Sequence, residues 1–290
     1  MKCVIITNSF NRNIKLVERS LIHSLKLANQ IEKLYFIDQN EKPLELSKEI
    51  TENSKIKIIH RNVTCVSKAR NLVELNDNID WVIFCDDDGY IDSNYINVLK
   101  DVVEKNKDIN IIAGSIVRDD NGEYYSPRHK IGGDLNLFRN TKLLMGSNFC
   151  VTAKAFNELH KFDEDFGAGG FWGAGEETDF AWNAHFSNQK MAYERSLIVY
   201  HIPPYCGSLK ESIQKAYRYG IAKGALVSKW ILRKKLKVFY EFFEMLFIPL
   251  IQVLASFFLL KWNLILVYLS SLIGRVVGLV KGLIYYLKRI

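Results

Sequence analysis

Cysteine is scarce and unpaired in this chain: Cys3, Cys65, Cys85, Cys150 and Cys206 are odd in number, scattered through 290 residues, and contain no C-x-x-C pair. That pattern excludes a zinc ribbon and a disulfide framework, and reduced thiols in a cytosolic compartment are the expectation. The N-terminus MKCVIITNSF also lacks a leader-length apolar run, offering only five to six strand-like residues after a single Lys. The body of the chain is therefore expected to stay inside the cell. Low hydrophobicity is absent as well, since 48% of residues are hydrophobic. Disorder and small stapled scaffolds are excluded, and the chain has room for one large domain, or a medium one with an appendage.

The net charge of +7 hides a division. Residues 207–290 carry fourteen Lys or Arg against three Glu, which leaves 25 basic against 29 acidic side chains in residues 1–206. A mildly acidic body precedes a basic, apolar tail. Because the basic residues are interleaved with runs of Leu, Ile, Val and Phe, an anionic membrane surface suits the tail and nucleic acid does not.

Along the body, apolar β-branched runs at Cys3–Thr7, Lys33–Ile37, Lys55–His60 and Trp81–Cys85 alternate with helical stretches from Asn13 to about Gln30 and from Val66 to Glu74. Strands alternating with helices predict a parallel α/β sheet, whose ligands collect at the carboxyl ends of its strands. Thr7, Asp38 and the run Asp86, Asp87, Asp88 all fall at such ends. Asp86 and Asp88, one residue apart, have the spacing to hold a divalent cation by oxygen ligation and leave positions open for a diphosphate. A solvated turn is the alternative. A calcium-binding helix-loop-helix is not, because Gly89 falls fourth from Asp86 instead of sixth and Asn97 stands where the loop needs Glu.

The second dense segment is FDEDFGAGGFWGAGEETDFAW, residues 162–182. Its glycines predict a loop whose backbone can approach a ligand, Phe171 and Trp172 are candidates for stacking on a sugar, and Glu176, Glu177 and Asp179 open a helix over Thr178–His185. Acids at a helix N-terminus also simply suit the macrodipole. His201, after the strand-like Leu197–Tyr200 and before Pro203 and Pro204, is a candidate cation or phosphate ligand, with an ordinary structural histidine as the alternative.

The ordered segments VIITNSFNR, Asp38 after YFI, Asn62–Asn71 ending in KARN, FCDDD, MGSNFCVTAKAF, FDEDFG and GAGEETDF resemble a family 2 glycosyltransferase of the GT-A fold, over about Lys2–Trp230. The resemblance implies a Rossmann-like mixed α/β sheet followed by a C-terminal apolar helical tail. It implies Mg2+ or Mn2+ on Asp86 and Asp88, with His201 near the metal or diphosphate, and a nucleotide-sugar pocket at Thr7, Asn11, Asp38, Arg70 and Asp87. Without the resemblance, Arg70 reads equally as a surface helix residue. The family's catalytic E-D pair becomes Glu176 and Glu177 here, so the base is Glu177, or failing that Glu176 or Asp179. Acceptor contacts are expected from Gly146 to Asn148 and from Phe171 and Trp172. A glycan or glycolipid acceptor and inverting transfer to its hydroxyl follow.

Two other functions compete. A membrane-anchored nucleotide-sugar-binding scaffold has no use for five intact acids. A sugar nucleotidyltransferase needs a Gly-rich N-terminal loop, and NSFNRN has no glycine. The expected organisation is a catalytic domain at 1–206, a basic helical connector at 207–237 and a membrane-associating segment at 238–290. In the tail, Met245–Leu260 and Trp262–Gly274 are uncharged, with basic clusters at Arg233–Lys237 and Arg275–Arg289. Sixteen residues make about 24 Å of helix against a hydrocarbon core of about 30 Å. An interfacial or re-entrant hairpin, or two short tilted spans, is expected on the cytoplasmic face with both ends cytosolic. Packing on the catalytic domain or a homodimer interface is the alternative.

Overall fold

A computed structural model describes residues 1–204 and 207–289; Tyr205, Cys206 and Ile290 lie outside the described residues. The chain divides into two compact units: Met1–Asp163 with Glu176–Pro204, and Glu164–Gly175 with Tyr205–Ile290.

The first unit is built on eight strands, β1 (Cys3–Ser9), β2 (Lys33–Asp38), β3 (Ile56–His60), β4 (Trp81–Phe84), β5 (Gly89–Ile91), β6 (Ile111–Arg118), β7 (Phe149–Thr152) and β8 (Met191–His201). They form one mixed sheet in the order β3-β2-β1-β4-β7-β6-β8-β5. The expected parallel arrangement holds for β1 to β4. Beyond them β7 runs antiparallel to both β4 and β6, and β5 antiparallel to β8. Helices α1 (Ile14–Leu25), α2 (Lys48–Thr51), α3 (Val66–Asn71), α4 (Tyr95–Lys105), α5 (Pro127–Ile131), α6 (Ala153–Glu158) and α7 (Glu176–Phe186) complete the unit.

Both faces of the sheet are covered, which is why the central strands read as unbroken apolar runs instead of alternating ones. Val4, Ile6, Val82 and Phe84 join one core with Phe149, Phe156 and Phe180. Cys3, Ile5 and Ile83 point into the other, against Val17 and Leu21 of α1 and Tyr95 and Leu99 of α4. Of the five cysteines, Cys3, Cys65, Cys85 and Cys150 are buried thiols outside any disulfide. Burial pushes the Cys3 thiol up to about 12, so it is inert. Helix α1 begins where the Asn13 side chain accepts from the Lys15 amide, and it ends at Leu25, short of Gln30, in a series of turns.

The second unit contains α8 (Leu209–Leu232), α9 (Val238–Phe258) and α10 (Trp262–Leu287) together with the Gly-rich loop 164–175. A complete capping box, Ser208 with Glu211, starts α8. Helices α8 and α10 touch through glycines four residues apart: a Cβ on Gly278 would lie 2.1 Å from the Ile221 carbonyl oxygen, and one on Gly224 2.1 Å from that of Arg275. Small residues on one face let two backbones approach this closely. Gly278→Ala is therefore expected to force the helices apart and to destabilise this unit by about 1–3 kcal/mol, read as a lowered thermal midpoint in detergent.

Helices α9 and α10 are long and apolar enough to cross a membrane by length and composition. Phe247, Ile251, Leu254, Phe258, Val276 and Val280 of these helices are exposed. Two of the charges within them turn inward: Glu241 pairs with Lys223 of α8, and Arg275 Nη1 donates to the Met245 carbonyl at 2.8 Å, while Lys281 is exposed.

Candidate active site

Strands β1, β2 and β4 lie side by side and end together, so the loops after Ser9, Asp38 and Phe84 share one rim of the sheet. The acid run Asp86–Asp88 occupies its centre. Each acid faces a cation supplied by the chain: Arg70 Nη2 lies 2.8 Å from Asp86, and Arg12 reaches Asp87 at 3.1 Å and Asp88 at 3.0 Å. His201 Nε2 lies 2.9 Å from Asp88 Oδ1. Three adjacent carboxylates thus coexist through internal pairing, a solution the sequence alone does not reveal. Arg19 adds a contact, its Nη2 donating to the Asp88 carbonyl at 3.3 Å while Nη1 holds Asp119 at 2.6 Å.

The ionisation of the cluster follows from these partners. Burial pushes Asp87 up to about 6 in spite of Arg12. Burial works in the same direction on Asp88, but the hydrogen bond and charge of His201, with Arg12, hold it below the ordinary carboxylate value. Burial lowers His201, and its bond to Asp88 outweighs that and lifts it to about 9.

Ligand atoms of Asp86, Asp88 and His201 all lie within 4.8 Å of one another. The donor set of two carboxylates and an imidazole fits a hard divalent cation. His201 Nδ1 is 2.8 Å from the Ile202 carbonyl, which in the neutral ring fixes the proton on Nδ1 and leaves Nε2 as the ligand atom.

Arg70, expected near the nucleotide, is only 1% exposed, which sets aside the surface-helix alternative. Its Nε donates to Asn8 Oδ1 at 3.0 Å and Nη2 to the Gly146 carbonyl at 3.3 Å, while Nη1 is buried with no hydrogen-bond partner among the described residues. A Cβ on Gly146 would stand 3.3 Å from that Nη1 and 3.9 Å from Glu176 Oε1. The structure thereby brings Arg70, Gly146 and Glu176 together beside Asp86. Glu176, Glu177 and Asp179 open α7, and Asp179 is buried. Removal from water, then the neighbouring Glu176 charge, raises Glu177 well above the ordinary carboxylate value.

Other expected residues have different surroundings. Thr7 is buried on β1, and its hydroxyl has no partner among the described residues. Asp38 is also buried, accepting from the Asn40 amide and side chain and from the Leu44 amide at 2.7–3.0 Å, so its carboxylate shapes its own loop. Asn11 takes a positive φ of 51° and donates its amide to Asn40 Oδ1 at 2.8 Å.

Asn148 corrects the expectation of an acceptor contact. It has no exposed surface, and Nδ2 donates to the Ser115 and Leu197 carbonyls at 2.6 and 2.8 Å while Oδ1 accepts from the Tyr95 hydroxyl at 2.9 Å. Its amide patches the place where the β6–β8 register shifts between Gly114 and Ser115. Asn148→Ala strips partners from three buried groups at about 1–3 kcal/mol each. A loss of about 3 kcal/mol or more is expected in denaturant unfolding.

Trp172 is likewise buried, donating its indole N–H to the Tyr286 hydroxyl at 2.9 Å, so its ring is not open to a sugar; Phe171 is 66% exposed. Both belong to the second unit.

Arg12, Arg19 and Tyr125, whose ring meets His201 edge-on at 5.1 Å, are the site residues that sequence reasoning missed. A cavity of about 750 Å³ opens at the other ends of β6 and β8, lined by Ile109, Asp134, Lys190 and Tyr193 among others, and contains none of the expected site residues.

The model of glycosyl transferase family 2 matches residues 4–160, more than half of the chain. The chain belongs to glycosyl transferase family 2. The match covers Thr7, Asp38, Arg70 and the acid run of this family 2 chain, and it stops before Glu176, Glu177 and His201. No curated protein matches the chain by sequence. Among solved structures, the crystal structure of S. aureus TarS 1–349 is similar with a TM-score of 0.57 and 12% identity, covering 78% of this chain and 64% of that one. Another of S. aureus TarS gives 0.57 and 13%, covering 78% and 39%. The family 2 chain described here thus spans less than two thirds of either, and the likeness concerns the fold.

Proposed function

We propose that the protein is an inverting glycosyltransferase that moves a sugar from a nucleotide-diphosphate donor to a hydroxyl of a glycan or glycolipid. The observation that carries this is the rim where Asp86, Asp88 and His201 group their ligand atoms beside Arg70, Gly146 and Glu176. Asp86, Asp88 and His201 would hold Mg2+ or Mn2+, which when bound supplies electrostatic stabilisation of the departing diphosphate. The guanidinium of Arg70, with one N–H pair free, suits a donor oxygen through fixed, directional N–H groups. The loops and strand ends that carry Thr7, Asn11, Asp38 and Asp87 would form the nucleotide side, with the buried Thr7 and Asp38 supporting it from beneath.

Glu177 serves as base. A carboxylate raised by burial and by Glu176 binds an acceptor proton more strongly than an ordinary one, which favours the proton transfer a general base performs. It takes the proton of the acceptor hydroxyl as that oxygen attacks the anomeric carbon; the bond to the diphosphate breaks on the opposite side, and configuration inverts. Gly146 of the first unit is a candidate for acceptor contact, and Phe171 of the second unit is a separate one.

Helices α9 and α10 are read as a hairpin on the cytoplasmic face of a membrane. Their outward apolar side chains, the inward Glu241 and Arg275, and the basic residues at Arg233–Lys237 support this, since intramembrane charges characteristically turn toward the protein interior.

The test is a panel of nucleotide sugars incubated with Mn2+ and a range of acceptors. Release of a nucleoside diphosphate is expected; pyrophosphate would indicate nucleotidyl transfer, and no product with any donor would indicate a scaffold.

A further inference from the structure

The Gly-rich loop 164–175 is bonded through Gly175 directly to Glu176, yet it packs with α10. Within the loop, the Trp172 amide donates to the Asp165 carbonyl at 2.8 Å and the Gly170 amide to that of Gly167 at 2.9 Å. The end of α10 then fastens it at three points. Tyr285 donates its hydroxyl to the Asp165 carboxylate at 3.0 Å, Arg289 Nη1 lies 2.7 Å from the same carboxylate, and Tyr286 accepts from the Trp172 indole. The Tyr285 ring stacks on Phe171 with centroids 5.0 Å apart and planes at 21°, and the Arg289 guanidinium lies 4.0 Å from the Tyr285 centroid. Trp172 meets Phe171 edge-on at 4.7 Å.

Five glycines in this stretch would leave a free loop with many conformations. Instead one large aromatic, Phe171, is two-thirds exposed while its neighbours are clamped beneath and beside it. A rigid aromatic with an open surface suits the apolar face of a sugar ring, because it loses little conformational freedom on binding.

We propose that the end of α10 holds the Gly-rich loop in the conformation that offers Phe171 to the acceptor sugar, making Tyr285, Tyr286 and Arg289 positioning residues for transfer. This rests on the glycosyl transfer proposed above. It gives the tail a part in acceptor recognition that is separate from any membrane contact.

The experiment compares full-length wild type, Asp165→Ala and Tyr286→Phe in detergent micelles. Backbone hydrogen exchange at Gly170 and Trp172 is expected to be at least about tenfold faster in both variants, with β1 and β4 amides unchanged. Using octyl glycosides as acceptor probes, KM for the acceptor should rise about tenfold, while calorimetric binding of UDP with Mn2+ stays at the wild-type value. Unchanged loop exchange in both variants would overturn the fastening. Faster exchange with an unchanged octyl glycoside KM would overturn the positioning role. If wild type releases no nucleoside diphosphate from any donor, glycosyl transfer itself fails, and the exchange result still decides whether α10 holds the loop.

Discussion

Asp88→Asn is expected to abolish sugar transfer and the divalent-ion dependence of nucleotide binding while leaving a cooperatively folded protein. Asp88 belongs to the candidate cation site and also accepts from His201 and Arg12, so removing its charge disturbs the centre of the rim at once. Asn keeps the shape and one acceptor oxygen, and the sheet cores do not depend on it. Electrostatic stabilisation of a leaving group by a metal amounts to several kcal/mol, so a fall in kcat/KM of at least about a thousandfold is expected at about 1.4 kcal/mol per tenfold. Asp86→Asn should act in the same direction. Turnover and divalent-ion dependence both at wild-type levels in these variants would remove the metal role.

Glu177→Gln should lower kcat by about a hundred- to ten-thousandfold, the range for a general base, with UDP–Mn2+ binding nearly retained. The pH profile supplies a second readout. A base works only without its proton, and burial with the Glu176 charge holds the proton on Glu177 above the ordinary value of 4.5. Wild-type kcat should therefore fall on the acid side starting above that value. Glu176→Gln removes a neighbouring negative charge that raises Glu177, so the acid limb should move to lower pH while activity survives. An inactive Glu176→Gln or Asp179→Asn beside an active Glu177→Gln would reassign the base. Full activity in all three would end the general-base proposal.

What the sequence made legible is the part governed by neighbours along the chain. Strands β1 to β4 announce themselves because strands buried on both faces must be apolar throughout and stop in polar residues, and the crevice at their ends follows from parallel connections. The acid spacing, the helix opened by Glu176 and the family resemblance are local in the same sense. The antiparallel placement of β5 and β7 is not, because it depends on which distant edges remain available. Arg12 reaches Asp87 across 75 residues, and Trp172 meets Tyr286 across 114. The role of Asn148 is hidden for the same reason: its three partners come from β6, β8 and Tyr95, none of them near it in sequence. An Asn two residues after a glycine reads as a loop residue open to ligand until the strands around it are known.

The ion pair between Asp165 and Arg289 spans 124 residues, which sets an order of events during synthesis. At about 5–20 residues per second, the ribosome completes Arg289 roughly 6 to 25 s after it has joined Asp165. The stretch that precedes Glu176 therefore leaves the exit tunnel with its fasteners still unmade. A nascent chain arrested before Tyr285 carries the complete eight-stranded sheet and every acid of the rim, yet its glycine segment lacks the partners that Asp165, Phe171 and Trp172 find at Tyr285, Tyr286 and Arg289.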